Sequence, residues 1–139
     1  MQEVNLRKLG ILPHMLGLVL MGALTTPSMA ADIQSELKRF ELAAGQRGDA
    51  QKGFEFFTRQ HANDWSCSTC HLNPPNRVGK HDVTGKRIEP LAPAANPSRF
   101  TDSQEVDKWF KRNCKDVLNR ECSAIEKADV LAYLKGVKS

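Results

Sequence analysis

Methionine is missing from most of this chain. All four methionines lie within the first 29 residues, and residues 30–139 contain none. No methionine thioether is therefore available to that part of the chain as a metal ligand. This absence excludes any metal centre there that depends on a thioether donor, including the usual sixth ligand of an electron-transfer cytochrome c.

The methionine-rich start of the chain has the pattern of a secretory signal peptide. Arg7 and Lys8 provide a positive segment, residues 11–24 are mostly apolar, and Ser28 and Ala30 are small residues at the positions that a signal peptidase reads. We predict cleavage after Ala30 and export to the periplasm. The alternative is a retained membrane anchor, but the apolar run is shorter than the roughly 20 residues that a spanning helix needs.

Strong charge, internal repeats and low-complexity tracts are also absent. The formal net charge of the whole chain is only +4, which is too mild to indicate a nucleic-acid partner. The segment that would remain after cleavage, residues 31–139, is long enough for one small domain. We therefore predict a single exported domain.

Cys67, Cys70 and His71 form the most specific motif of the chain, Cys-Ser-Thr-Cys-His. This spacing is the attachment signature of c-type haem. Two thiols three residues apart on a helical turn can each bind one vinyl group of a porphyrin, and the following imidazole can bind the iron as proximal ligand. In an exported chain the motif predicts one covalently attached haem c.

The hydrophobic pattern predicts an all-α domain of about four helices with no sheet. Leu72 to Arg99 has no convincing periodicity and contains five prolines, so we expect a long loop wrapped around the haem. Gly53, one helical turn before Phe57, should let another helix approach closely. The first predicted helix spans residues 32–44 and is ended by Gly45, and the second is capped by Asp49 and runs to about residue 60. The third spans residues 101–113 and begins with a Thr101/Gln104 capping box. The fourth begins with a Ser123/Glu126 capping box and runs to about residue 137.

The third predicted helix supplies a candidate for the sixth iron ligand. Val106, Trp109 and Phe110 are spaced for one inward face, and continuing that face reaches Asn113. A polar amide on an inward face is costly unless its groups find partners. We predict that Asn113 binds the iron through its carbonyl oxygen. The alternative is an asparagine that caps the C-terminus of this helix.

Two histidines are further candidates for the sixth position. His61 precedes His71 by ten residues and His81 follows it by ten. Imidazole is a better iron ligand than an amide, although surface histidines are common. A lysine is a weaker candidate still.

Cys114 and Cys122 remain after haem attachment. In an exported protein a leftover pair of cysteines is expected to form a disulfide. It would close a loop of about nine residues and pin the segment directly after Asn113. The alternative is a zinc site on all four cysteines, which needs reduced thiols in an oxidising compartment and leaves His71 without a role.

The remaining cofactor-binding residues are predicted on weaker grounds. Pro90 could offer its backbone carbonyl to the free nitrogen of His71, with an ordinary loop proline as the alternative. Lys86 or Arg99 could pair with a haem propionate. The predicted apolar contacts to the haem are Phe57, Trp65, Leu91, Phe100 and Trp109.

The sequence resembles the sphaeroides haem protein family, from about residue 53 to residue 134. Between residues 72 and 83 the chain departs from the family pattern. The matching segments are TGK at 84–86, PLAP at 90–93, RFTD at 99–102, KW at 108–109, RNC at 112–114, REC at 120–122 and EKAD at 126–129.

The resemblance implies a class I cytochrome c fold and an oxygen-binding cytochrome. It also implies that Asn113 is a displaceable sixth ligand and that Cys114 and Cys122 form the family's disulfide. Expected partners are a dihaem cytochrome c and a membrane cytochrome b.

These predictions define one principal function and two alternatives. A neutral amide oxygen suits ferric iron better than ferrous iron, so reduction should release Asn113 and let ferrous haem bind O2, NO or CO. One alternative is a simple electron carrier with a fixed sixth ligand. The other is a peroxide- or superoxide-handling haem enzyme, which would need acid–base residues near the iron that the sequence does not identify.

Overall fold

A computed structural model describes residues 32–139, so the predicted signal peptide lies outside the described residues. Within this range no helix is both long enough and apolar enough to span a bilayer. The domain is mostly helical, as predicted. Its α-helices are α1 (Ile33–Ala44), α2 (Ala50–Thr58), α3 (Cys67–His71), α4 (Ser103–Leu118) and α5 (Ala124–Gly136), with a 3₁₀ turn at Ala62–Asp64 and two short strands, β1 (Gly79–Lys80) and β2 (Arg87–Ile88).

Helix α1 begins and ends where the sequence predicted. The Asp32 carboxylate accepts a hydrogen bond from the Ser35 backbone amide, and the Ser35 hydroxyl accepts one from the Asp32 amide. Gly45 ends the helix in the left-handed conformation at φ 68°. Both ends are set by local chemistry within one helical turn.

Helices α2 and α5 cross at Gly53, which confirms the predicted close approach. A Cβ added to Gly53 would lie only 1.9 Å from the backbone oxygen of Asp129 on α5. Phe57, one turn later, is 1% exposed and packs against Tyr133, with ring centroids 5.4 Å apart. Ser123 and Glu126 form the predicted capping box at the start of α5.

Helix α4 is longer than predicted and has a different cap. The Asp102 carboxylate accepts from the backbone amides of Gln104 and Glu105, whereas the Thr101 hydroxyl donates to the Ser98 carbonyl. The Thr101/Gln104 capping box was therefore wrong, because a carboxylate in the next position satisfies two free amides at once. The helix continues to Leu118 and is ended by Asn119 at φ 59°.

The loop predicted between residues 72 and 99 contains a small antiparallel hairpin. Gly79 pairs with Ile88 and Lys80 with Arg87, so the prediction of no sheet was wrong. The strands are too short to show any alternation in the sequence. Gly79 also fits closely against the haem motif, since a Cβ added there would lie 2.0 Å from the Cys70 backbone oxygen.

One hydrophobic core lies among α1, α2, α4 and α5. Half-buried side chains from the connecting segments pack against it, and these include Trp65, Leu91 and Phe100. The core members that are almost fully buried are Phe57, Ala92, Ala128, Leu131 and Leu134.

Candidate haem site

Helix α3 consists of the Cys-Ser-Thr-Cys-His motif itself. Ser66 caps it by accepting from the Thr69 amide, and the Thr69 hydroxyl accepts from the Ser66 amide in return. This reciprocal cap stabilises a helix of only five residues. Cys67 and Cys70 are both free thiols, three residues apart on this single turn. Burial raises the pKa of Cys67 to about 11, so that sulfur stays protonated at neutral pH.

His71 completes the motif in a form that suits metal binding. Burial is the main cause that lowers its pKa to about 4, and the positive charge of Arg99 adds to the effect. The ring is therefore neutral at pH 7, which is the form of imidazole that binds metals. Its buried Nδ1 has no hydrogen-bond partner among residues 32–139. A neutral buried imidazole beside two free thiols fits a covalently attached haem.

Pro90 does not make the hydrogen bond to His71 that we predicted. Its carbonyl oxygen accepts instead from Arg99 Nε at 3.0 Å and from Asn96 Nδ2 at 3.3 Å. Arg99 also donates through Nη2 to the Glu89 carbonyl at 2.8 Å. A charged guanidinium is a stronger donor than a neutral imidazole, which explains why Arg99 takes this carbonyl.

The predicted apolar contacts occupy different environments. The Phe57 ring lies 6.5 Å from the His71 ring, and Trp65, Leu91 and Phe100 are half-buried against the core. Trp109 is 44% exposed. Its indole Nε1 donates to Glu105 at 2.9 Å, an interaction that the sequence did not indicate. The role of Trp109 as a haem contact stays a prediction.

Asn113 lies inside helix α4 and does not cap it. Five more helical residues follow, and the C-cap is Asn119, so the alternative that Asn113 is a capping residue was wrong. Asn113 is half-buried, and its side chain forms no hydrogen bond within the described part of the chain. Phe110, one turn before it, packs edge-on against Phe40 with centroids 5.7 Å apart.

The two other histidines take part in local structure. The Nε2 atom of His61 lies 2.8 Å from the Phe56 carbonyl oxygen, and its ring packs on the Phe56 ring at 4.7 Å. His81 Nδ1 accepts from the Thr84 amide at 3.3 Å in the hairpin turn. Each of these two alternatives to Asn113 therefore already has one ring nitrogen in a local hydrogen bond.

Cys114 and Cys122 are joined by a disulfide with a Cα–Cα distance of 5.6 Å. The bond ties α4, directly after Asn113, to the connection that precedes α5. A zinc site on four cysteines is incompatible with this bond, because two of the sulfurs are no longer thiolates. Across residues 32–139 no cluster of three or more histidine, cysteine or acidic side chains could hold a metal ion.

Comparison with known proteins gives consistent results from sequence and from structure. Residues 43–134 match the family model described as domain of unknown function DUF1924. The chain is 43% identical over 123 residues to cytochrome c-type protein SHP of Cereibacter sphaeroides, covering 84% of this chain and 95% of that protein. It is 46% identical over 83 residues to cytochrome c'' of Methylophilus methylotrophus, covering 57% and 58% of the two chains.

Solved structures of the same two proteins share the fold. Oxidized SHP, described as an oxygen-binding cytochrome c, superposes with a TM-score of 0.70 at 42% identity, covering 76% of this chain and 96% of that one. Oxidized cytochrome c'' from Methylophilus methylotrophus superposes with a TM-score of 0.72 at 34% identity, covering 77% and 95%. A solution structure of cytochrome c'', described as giving insights into haem-ligand detachment, has a TM-score of 0.68 at 34% identity, covering 77% of this chain and 94% of that one.

Proposed function

This chain belongs to the DUF1924 family of c-type cytochromes, together with SHP and cytochrome c'', and we propose that Asn113 is a sixth ligand which leaves the haem iron on reduction. Like its relatives it is a class I cytochrome c with one covalently attached haem c. The proposal adds that the reduced protein then binds a diatomic gas, O2, NO or CO.

Three residues would hold the cofactor. Cys67 and Cys70 would form the two thioether bonds, and His71 would bind the iron from the proximal side. The haem supplies an iron that exchanges one electron and, in its ferrous form, takes diatomic gases as ligands. The neutral state of the buried His71 ring supports this assignment.

One observation carries the assignment of Asn113. Its amide is half-buried inside a helix and has no hydrogen-bond partner within residues 32–139. Both groups of this amide are therefore available to a partner outside the chain, and the haem iron would be one. Its carbonyl oxygen is a weak, hard donor that binds ferric iron in preference to ferrous iron. After release, its NH2 group could donate a hydrogen bond to the incoming gas molecule.

The relatives support both halves of this proposal. SHP is described as an oxygen-binding cytochrome c. Cytochrome c'' is described in connection with detachment of a haem ligand. The absence of methionine after residue 29 also supports a sixth ligand that can leave the iron, because the usual non-exchanging thioether ligand is not available in the domain.

The cellular setting is also part of the proposal. Cleavage after Ala30 would release residues 31–139 into the periplasm, where c-type haem is attached. Electrons would come from a redox protein, and the resemblance suggests a dihaem cytochrome c supplied by a membrane cytochrome b.

Absorption spectra of the holoprotein test the proposal. We expect a six-coordinate ferric form, a five-coordinate form after dithionite reduction, and a shifted Soret band when CO is added. The Asn113→Ala variant should have a high-spin ferric spectrum, whereas Asn119→Gly, on the same helix at a position that favours glycine, should match the wild type.

Two results would contradict the proposal. A reduced protein that is six-coordinate and ignores CO would be a simple electron carrier. An unchanged ferric spectrum in Asn113→Ala would mean that another residue is the sixth ligand.

A further inference from the structure

A surface groove lies beside the segment that follows the haem motif, and no residue of α4, the helix that carries Asn113, lines it. It has a volume of about 560 Å³ and is bounded by α2, the C-terminal end of α5 and the segment that follows His71. Asn76 Nδ2 donates to the Lys138 carbonyl at 3.0 Å, and the Tyr133 hydroxyl donates to Asn73 Oδ1 at 3.1 Å. These two hydrogen bonds connect the segment after His71, which forms one side of the groove, to the C-terminal end of α5, which forms the other side.

The floor of the groove is aromatic and connects to the proximal histidine through packed rings. Phe54, 36% exposed, and Tyr133 both line the groove, with ring centroids 5.5 Å apart. Tyr133 packs on Phe57 at 5.4 Å, and Phe57 lies 6.5 Å from the His71 ring. Three ring contacts therefore lead from the surface to the residue that would bind the iron.

The rim of the groove is positively charged. Lys138 lines it, and Lys52, Arg77 and Lys135 are each adjacent in sequence to a lining residue. All four side chains are exposed, and none forms an ion pair within the described residues.

The carboxylates next to the groove are Asp49 and Glu55, and both already accept hydrogen bonds. Asp49 caps α2, and Glu55 accepts from Gln51. Hydrogen bonds from neutral amides leave both carboxylates charged, and the rim is positive because its four cationic side chains outnumber them.

We propose that this groove is the docking surface for a one-electron redox protein with an acidic face. The rim would attract the acidic face, and the aromatic floor would contact it, which is the usual arrangement of a polar rim around aromatic anchors. Redox encounters are among the smaller interfaces, below about 1,200 Å², so a shallow groove is sufficient. One electron would leave the partner's redox centre, which is oxidised, and reduce the ferric haem iron of this chain, with no covalent bond made or broken.

A small acidic [2Fe–2S] ferredoxin of the plant type is a suitable probe. Oxidised ferredoxin added to the ferric holoprotein should shift the backbone amide NMR signals around Phe54, Asn73 and Lys138. The Lys135→Glu/Lys138→Glu variant should bind at least tenfold more weakly at low ionic strength. It should also accept electrons from reduced ferredoxin at least tenfold more slowly, and both effects should fade in high salt.

A matched control separates this surface from a general charge effect. The Lys38→Glu/Arg47→Glu variant makes the same change of net charge at two exposed residues, one in the middle of α1 and one just after it, and its binding should change less than threefold. Phe54→Gln keeps the rim charges and removes the apolar floor. It should weaken binding about fivefold.

Three outcomes would overturn the inference. Signals could shift at another surface, such as the exposed face of α4 around Trp109. The control variant could lose as much affinity as the rim variant. The groove signals could shift with protein concentration alone, which would indicate a second copy of this chain as the occupant.

This inference rests on the redox-partner part of the proposed function, and the two can fail separately. CO spectra recorded on the same rim variants should be those of the wild type. If reduced wild-type protein ignores CO but still binds ferredoxin at the groove, only the role of Asn113 is wrong. If CO binds and the groove signals do not shift, only the docking surface is wrong.

Discussion

Gly53 lies so close to the backbone of Asp129 that a Cβ on Gly53 would meet the Asp129 carbonyl oxygen at 1.9 Å. That atom belongs to the backbone of a buried helix and cannot rotate away. The crossing also places Phe57 next to both Tyr133 and the proximal His71. The position of the haem motif therefore depends on the absence of a side chain at one residue.

Gly53→Ala should destabilise the protein although alanine is the better helix former. We expect a net loss of about 2 kcal/mol in the free energy of unfolding, since overpacking a tight contact costs about 3 kcal/mol and the gain in helix propensity is about 1 kcal/mol. Denaturant unfolding of the holoprotein measures it. The control is Gly136→Ala, where a Cβ would meet nothing within 4 Å; a Gly53→Ala variant as stable as this control would contradict the prediction.

The disulfide should stabilise the domain and keep Asn113 in place. Replacing both Cys114 and Cys122 with alanine removes a cross-link between residues that are eight positions apart in the sequence. The expected loss in the free energy of unfolding is about 2 kcal/mol. The ferric spectrum should also show a larger high-spin fraction, because α4 loses its anchor directly after Asn113. An unchanged spin state together with the lower stability would mean that the bond stabilises the fold without positioning this residue.

The Arg120–Glu126 pair should make stability depend on pH in the acid range. Arg120 donates two hydrogen bonds to Glu126, at 2.8 and 2.6 Å, and the resulting interaction lowers the pKa of Glu126 to about 2. A carboxyl with a lowered pKa stabilises the folded state above its unfolded pKa of about 4.5, and this contribution disappears as the pH falls towards 2.

Glu126→Gln tests this dependence. At pH 6 we expect it to cost about 1 kcal/mol, a value reduced by solvent screening because Arg120 is half exposed. The difference from the wild type should vanish near pH 2. The control Glu121→Gln alters a mostly exposed neighbouring carboxylate, 3.8 Å from Lys111, and should have little effect at either pH. A Glu126→Gln effect that is the same at pH 6 and pH 2 would exclude the charge as its cause.

Arg99 should order the connection that follows the hairpin. It donates to the carbonyls of Pro90 and Glu89, and the next amides, those of Leu91 and Ala92, donate to Pro75. In Arg99→Gln we expect the Leu91 and Ala92 amides to exchange with solvent about tenfold faster, because the carbonyls lose a charged donor. Amide hydrogen exchange followed by NMR measures it, with the α1 amides as internal reference. Unchanged exchange at both amides would mean that Arg99 does not order this segment.

Several features could be predicted because their signals lie within one helical turn. The haem motif is five consecutive residues, and the predicted Asp49 and Ser123 caps each act on amides two or three residues later. The Gly53–Phe57 spacing likewise indicated a helix crossing before any partner helix was known. In each case the residues that interact are close in sequence, so their pattern can be recognised without the fold.

Other features required the tertiary structure. The sequence predicted that α4 ends near residue 113, but Cys114, Val117 and Leu118 are buried against other elements and the helix continues to Leu118. The two-residue strands of the hairpin are too short to leave a pattern.

By itself the sequence determined the cofactor and the absence of a methionine ligand after residue 29, since each follows from residue identity and short spacing. Only the tertiary structure decided which donor takes the Pro90 carbonyl, that Asn113 lies within a helix, and that the aromatic rings of α2 and α5 connect His71 to a basic groove. The physical reason is that the ring contacts join residues up to 79 positions apart, as between Phe54 and Tyr133. Such contacts depend on how whole helices pack, and no local pattern records that packing.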